Sequence, residues 1–231
     1  MNNTLRQVER SLGYAFGDPA LLEQALTHPS YAAESATPVP DNQRLEFLGD
    51  AVLQLVSTER LYRRFPTLNE GRLTKLRSVL TKARTLARFS RDLALHEALR
   101  VGKGEAQSGG RTRPSNLADA FESVLGAVFL DGGIAPARTL CCRLVEPYLA
   151  DIDGLLATEN PKGALQEYTQ EHRQSKPEYQ VIKVEGPEHE PVIAVRVLLD
   201  GDELARASAG NRREAERKAA SKALRSLAER D

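Results

Sequence analysis

The chain of 231 residues is poor in several things, and each shortage narrows what it can be. It has only two cysteines, Cys141 and Cys142, adjacent in an apolar segment. Neighbouring cysteines rarely bridge, so both are expected reduced and buried, which suits a cytoplasmic protein. No apolar run is long enough to cross a membrane. The opening stretch, MNNTLRQVERSLGYAF, lacks the apolar centre of a signal peptide. The four histidines, His28, His96, His172 and His189, are scattered, and none makes a zinc-type spacing with a cysteine. No glycine-rich phosphate loop followed by lysine is present, which argues against a nucleotide cofactor. Gly102-Lys103-Gly104-Glu105 has the glycines without the strand-to-helix setting. Internal repeats and low-complexity tracts are absent.

There is also no net charge: 32 basic residues face 32 acidic ones. Taken as a whole, this is not the balance of a nucleic-acid binder. The distribution is uneven, however. Leu204 to Arg230 holds eight basic residues against three acidic ones.

What is present divides in two. Up to about residue 150 the periodicity is helical and strand signals are nearly missing. Helices are expected over 4–12, 19–26, 43–65, 70–80, 82–92, 116–131 and 134–149, separated by Gly13, Pro19, Pro29, the Thr37–Pro40 loop, Pro66, the Gly102–Gly110 run and Gly132-Gly133. After a linker the pattern changes to a helix over 162–172, alternating strands over 179–185, 192–199 and 203–208, and a basic, alanine-rich helix from Arg212. The fold class is therefore an all-α domain (1–152), a flexible linker (153–160) and a small α-β-β-β-α domain (161–231).

The most informative stretch is Asn42 to Leu53. Leu45, Leu48, Val52 and Leu55 form an apolar stripe on what reads as a buried helix, yet Glu46 and Asp50 sit four apart on one face. Like charges at that spacing repel by about a few tenths of a kcal/mol even in water, and desolvation adds to the cost. A cation between them removes the difficulty. Asp119 and Glu122 form a second pair, three apart, again inside an apolar helix. Glu70 is a fifth acid at an expected helix start, where it also complements the helix dipole. Oxygen ligands alone suit Mg²⁺ or Mn²⁺, and carboxylate-held Mg²⁺ suits phosphoryl transfer.

These residues resemble a known family. Asn42–Leu53 is similar to the signature stretch of the ribonuclease III family, endonucleases specific for double-stranded RNA. Leu26-Thr27-His28-Pro29-Ser30, Arg64-Phe65-Pro66 with Glu70-Gly71, Gly102-Lys103-Gly104-Glu105, Ser108-Gly109-Gly110 and Leu117-Ala118-Asp119 with Glu122 fall in the family's order. The resemblance covers nearly the whole chain. It implies an all-α endonuclease domain followed by a double-stranded RNA-binding domain. Glu46, Asp50, Asp119 and Glu122 would hold the metal, with Asp50 and Glu122 most directly catalytic and Glu70 as an outer, supporting acid. It further implies a metal-activated water, 5′-phosphate and 3′-hydroxyl ends, and short 3′ overhangs cut by a homodimer into whose partner Phe47 inserts. Ribosomal RNA precursors and other structured transcripts, messenger RNAs among them, are the implied substrates.

In the smaller domain the implied RNA contacts are Gln166 and Glu167 on the first helix, His189 in the loop after the first strand, and Asn211, Arg212, Arg213 and Arg217 at the start of the last helix. Duplex RNA is read mainly by shape, through 2′-hydroxyls and phosphates, and a helix start also favours phosphate. Two departures stand out. Gln43 takes a place where the family often has Glu. Ala207-Ser208-Ala209-Gly210 replaces a Gly-x-Gly-like entry to the last helix, and the added Cβ atoms are expected to restrict that turn. A catalytically silent RNA-binding protein on the same scaffold is the alternative, and retention of the four acids argues against it. A phosphohydrolase of small molecules would leave the basic domain unexplained.

Overall fold

The computed structural model describes residues 3–150, 154, 157–158, 160–187 and 189–228. The chain divides into two compact units, Met1–Ala150 and Asp151–Asp231. Half of the expected linker, residues 153, 155, 156 and 159, lies outside the described residues. No described helix is long and apolar enough to cross a membrane.

The first unit is helical: α1 (Asn3–Leu12), α2 (Pro19–Ala25), α3 (Pro29–Glu34), α4 (Gln43–Arg64), α5 (Glu70–Leu80), α6 (Ala83–Asp92), α7 (Leu95–Ala98), α8 (Lys103–Gln107), a 3-10 turn at Gly110–Thr112, α9 (Pro114–Gly132) and α10 (Ile134–Leu149). The starts follow local chemistry. Asp18 accepts from the Ala20 N–H and Asn69 from that of Arg72, each filling an orphan donor of a first turn. Short helices α3, α7 and α8 do not show in the hydrophobic pattern, because none completes two turns of apolar spacing. Helix α8 falls inside the glycine run read above as a breaker. There Glu105 accepts from Arg113 (2.5 Å) and from Asn116 Nδ2 (2.8 Å), bracing the entry to α9 rather than forming a nucleotide loop.

Helix α9 is the axis of this unit. It is apolar nearly all round, as a central helix must be, and buries Leu117, Phe121, Val124, Leu125 and Val128 completely. Phe89 of α6 lies 5.4 Å from the Phe121 ring. Helix α4 packs along α9, but its apolar residues split between two faces. Leu45, Val52, Leu53, Val56 and Leu61 face the core, while Phe47 (84% exposed), Leu55 (61%) and Tyr62 (71%) face outward. The expected stripe through Leu55 is thus corrected: 52 and 55 are three apart, and the inward face runs instead through 49, 53 and 56. The cysteines are free, with Cys141 buried but Cys142 only half-buried, a partial correction of the expectation that both are covered.

The second unit is α11 (Pro161–Arg173), β1 (Glu178–Glu185), β2 (Val192–Leu199), β3 (Asp202–Ala209) and α12 (Arg212–Ala228). The strands form one antiparallel sheet in the order β1-β2-β3. Tyr179 stands opposite Val197, which stands opposite Ala205. Leu165, Val197, Ala207, Ala219, Ala220 and Ala223 form the core under the two helices. Alanines let α12 approach the sheet closely. The entry to α12 corrects a second expectation. Ala207 and Ala209 lie within β3, and the only glycine of the stretch, Gly210, does not adopt a positive φ. No left-handed residue is required there, so the added Cβ atoms cost nothing.

Candidate metal centre and nucleic-acid interface

Helices α4 and α9 cross at a pair of glycines. A Cβ on Gly49 would overlap the main-chain carbonyl of Glu122, and one on Gly126 would overlap that of Leu45. The backbones therefore meet directly, and the acids flanking the crossing are brought together. Further bonds fix the register. Ser123 Oγ donates to the carbonyl of Asn42 at 3.1 Å, joining α9 to the start of α4. Ser90 of α6 donates to the carbonyl of Leu117.

At this crossing, Glu46, Asp119 and Glu122 each offer a carboxylate oxygen, and these atoms lie within 4.8 Å of one another. Asp50 is not part of this tight group. It is more exposed, and its Oδ1 accepts from Gln54 Nε2 at 3.3 Å. Its charge is nevertheless felt by both Glu46 and Glu122. Burial first, and then the charges of Asp50, Glu46 and Asp119, push the Glu122 carboxyl up to about 8. Burial, then Asp119 and Asp50, raises that of Glu46. Burial also raises Asp119, while His28 and a backbone hydrogen bond oppose the rise. Among the described residues no lysine or arginine pairs with Glu46, Asp119 or Glu122. Acids so crowded and partly desolvated are far from neutralised by the protein alone. The donor set is oxygen only, which fits a hard divalent cation.

The sequence pattern did not single out His28 for a role beside the acids. Its Nδ1 accepts from the Ser30 N–H at 3.1 Å, so in the neutral ring the proton resides on Nε2. Gly49 and Gly126 were also missed as site-builders. Their signal is a glycine inside each acid-bearing helix, four residues after Glu122 in one case and beside Asp50 in the other.

Glu70 is not brought to the cluster within one chain. It begins α5, accepts from Thr74 Oγ1 at 2.9 Å, and lines a cavity of about 440 Å³ with Thr58, Leu61, Tyr62, Leu68 and Arg77. Thr58 follows Glu46 by twelve residues on α4, a separation of about 18 Å along a helix axis. Gln43 is exposed at the first turn of α4, its N–H donating to Asp41 Oδ1 at 3.1 Å.

In the second unit, Gln166 is exposed and Glu167 half-exposed on α11, and His189 is exposed in the β1–β2 connection. Asn211 caps α12, its Oδ1 accepting from the Glu214 N–H at 2.9 Å. Arg212 and Arg217 are held by Glu216 and Glu214 respectively. Arg213 is exposed and forms no ion pair among the described residues. Arg212, Arg213 and Arg217 thus all begin one helix but have different degrees of freedom.

A helical body with an acid cluster, followed by a three-stranded unit with a basic helix, is matched by two family models. Residues 18–148 match the ribonuclease-III-like model, and residues 161–227 match the double-stranded RNA binding motif. The chain belongs to the ribonuclease III family. It is 42% identical over 221 residues to ribonuclease 3 of Nitratidesulfovibrio vulgaris, covering 96% of this chain and 87% of the relative. It is 44% identical over 230 residues to ribonuclease 3 of Thiobacillus denitrificans, covering 98% and 99%. The nuclease domain of ribonuclease III from Campylobacter jejuni superposes with a TM-score of 0.58 at 40% identity, covering 62% of this chain and 96% of that one.

Proposed function

We propose that this chain hydrolyses phosphodiester bonds in double-stranded RNA, leaving 5′-phosphate and 3′-hydroxyl ends, with Mg²⁺ or Mn²⁺ held by Glu46, Asp119 and Glu122 and completed by Asp50. The observation that carries this reading is the convergence of three partly buried carboxylates, with a fourth beside them, at the α4–α9 crossing. A bound divalent ion supplies positive charge to phosphate oxygens and makes a water more acidic. The protein's own part is geometric. The glycine crossing holds two helices rigidly, so the carboxylates need not move to meet the ion. Glu122, buried most deeply by its neighbours, gives up its proton on loading and so couples occupancy to pH. Ribosomal RNA precursors and messenger transcripts with duplex segments are the substrates this reading implies.

The same reading includes a homodimer. Phe47, Ala51, Leu55, Thr58 and Tyr62 lie on one exposed face of α4. An exposed stripe of this kind on a helix marks an interaction surface. A two-fold axis near Leu55 would set two α4 helices antiparallel, because Leu55 lies midway between Phe47 and Tyr62. Phe47 of one copy would then meet the cavity beside Tyr62 of the other. That cavity also contains Glu70, so Glu70 would approach the acid cluster of the second copy, not its own. The nuclease domain from Campylobacter jejuni is itself described as having a region involved in dimer formation.

The test is cleavage of a perfect RNA duplex longer than the roughly 16 base pairs such a domain spans, with and without Mg²⁺. Metal-dependent cuts bearing 5′-phosphates are expected. Binding without cleavage in Mg²⁺ or Mn²⁺ would favour the silent RNA-binding protein.

A further inference from the structure

One carboxylate in the second unit is placed where a charge is costly. Glu216 is 8% exposed on the inner side of α12. Its two oxygens are taken by cations from different elements. Lys162 Nζ, from the first turn of α11, lies 2.5 Å from Oε2. Arg212 Nε, from the first turn of α12, lies 2.8 Å from Oε1. The same ammonium stands 4.4 Å from the centre of the Tyr179 ring, so β1 joins the arrangement. Burial raises the Glu216 carboxyl, but the hydrogen bonds from Lys162 and Arg212 outweigh it and hold the group below its ordinary value.

A buried ion pair contributes little to stability compared with an apolar filling of the same volume. Its use must lie in what it orients. Both cations keep an outward side: the Lys162 and Arg212 side chains are 41% and 64% exposed. Arg212 gives Nε to Glu216, and among the described residues its two terminal nitrogens have no hydrogen bond, in the fork geometry that suits phosphate. The other arginine pair of this helix, Arg217 with Glu214, is local and exposed, and fixes nothing outside α12. Among the described ion pairs, that of Glu216 with Lys162 is the one that joins the start of the last helix to the start of the first.

We propose that Glu216 is a positioning residue for duplex RNA binding, a buried carboxylate that holds Lys162 and Arg212 at one spacing so that both meet the phosphate backbone. This rests on the RNA-binding reading above, and it adds Lys162 to the residues that contact RNA.

The sign of the expected effect separates positioning from simple charge. A carboxylate near phosphates repels them, so removing its charge should tighten binding if Glu216 does nothing else. If it positions the two cations, removal loosens binding. The experiment measures the affinity of the full chain for an RNA duplex in EDTA across a salt series. Glu216→Gln is expected to weaken binding roughly tenfold, the size of one charge-assisted hydrogen bond. The slope of log affinity against log salt should become shallower by about one, for a lost phosphate contact. In a Lys162→Ala, Arg212→Ala background the same change should have no further effect. Binding that is unchanged or tighter, or an effect that persists in that background, overturns the proposal. Lys162→Ala alone truncates a partly exposed side chain and should show the same shallower slope. An unchanged slope there overturns the proposal even if the Glu216 variant unfolds. A native chain that fails to bind duplex defeats the functional reading instead, so the two failures are distinguishable.

Discussion

Gly49 of α4 lies against the main-chain carbonyl of Glu122 in α9, with no room for a side chain between them. This contact sets the distance between the two acid-bearing helices. Gly49→Ala must push the helices apart, because the obstructing atom is backbone and cannot rotate away. Overpacking of this kind costs about 1–3 kcal/mol, occasionally more. A lower melting temperature is expected, with cleavage reduced far more than the folded fraction, since a displacement of about 1 Å already costs on the order of a hundredfold in a positioned site. Thermal melting and duplex cleavage of the same sample check it. A variant that melts lower but cleaves normally would show that the crossing does not set the site.

Glu122→Gln separates binding from chemistry. The amide keeps the shape, loses the charge, and leaves the second unit untouched. Even residues that only support metal ligands cost 10–100-fold when mutated, so a ligand should cost on the order of a hundredfold or more in cleavage. Duplex affinity in EDTA should stay within about twofold of native, since the proposed phosphate contacts lie in the second unit. Parallel loss of affinity and cleavage would remove Glu122 from the metal set.

The raised acid also fixes a pH dependence. Glu122 titrates near 8 in the fold against an ordinary 4.5. Between those values the folded chain binds more protons than the unfolded one, so stability falls as pH rises. The contribution is complete below about 4.5 and lost through about 8. The lowered acids Glu59, Asp131, Glu214 and Glu216 act oppositely, and only in the acid range below their ordinary values. The metal-free chain should therefore melt lower at pH 8.5 than at pH 6, with approximate pH choices set by that window. Added Mg²⁺ should raise the melting temperature more at the higher pH, because the ion needs the deprotonated carboxylate. Equal Mg²⁺ shifts at both pH values would contradict this coupling.

Helical and strand periods were legible because they repeat. The strands expected at 179–185, 192–199 and 203–208 differ from the observed ones by a residue at most at each end. Helices α3, α7 and α8 were not legible, since turns this short are decided by tertiary contacts, as where the Gly102 N–H donates to Ser30 Oγ at 2.9 Å and the Lys103 N–H to Glu34 Oε2 at 2.8 Å, tying α8 to α3. The paired acids were visible as costs within apolar helices. What brings the pairs together was not, because a glycine in a helix carries no sign of the backbone it will touch. Glu70 shows the limit most clearly. Its position in sequence is compatible with a supporting acid, yet the chain folds it beside Thr58 and Tyr62, toward the other end of α4 from Glu46; the proposed dimer would bring it to the cluster of the second copy.

That arrangement gives the dimer a sharp test at Leu55. The side chain is 61% exposed, so Leu55→Asp should leave the fold of a single chain nearly unaffected, within about 0.5 kcal/mol for a surface position. Under the proposed symmetry Leu55 meets its own copy at the axis. Two aspartates placed there would face each other in an interface that removes their water, a like-charge contact that disfavours assembly. Sedimentation should show a monomer where the native chain gives a dimer, and double-strand cleavage should fall with the dimer fraction. Phe47→Ala should weaken the dimer as well, by emptying the cavity beside Tyr62. A Leu55→Asp chain that remains dimeric would place the two-fold axis elsewhere on the surface, and Glu70 would then lose its route to the acid cluster.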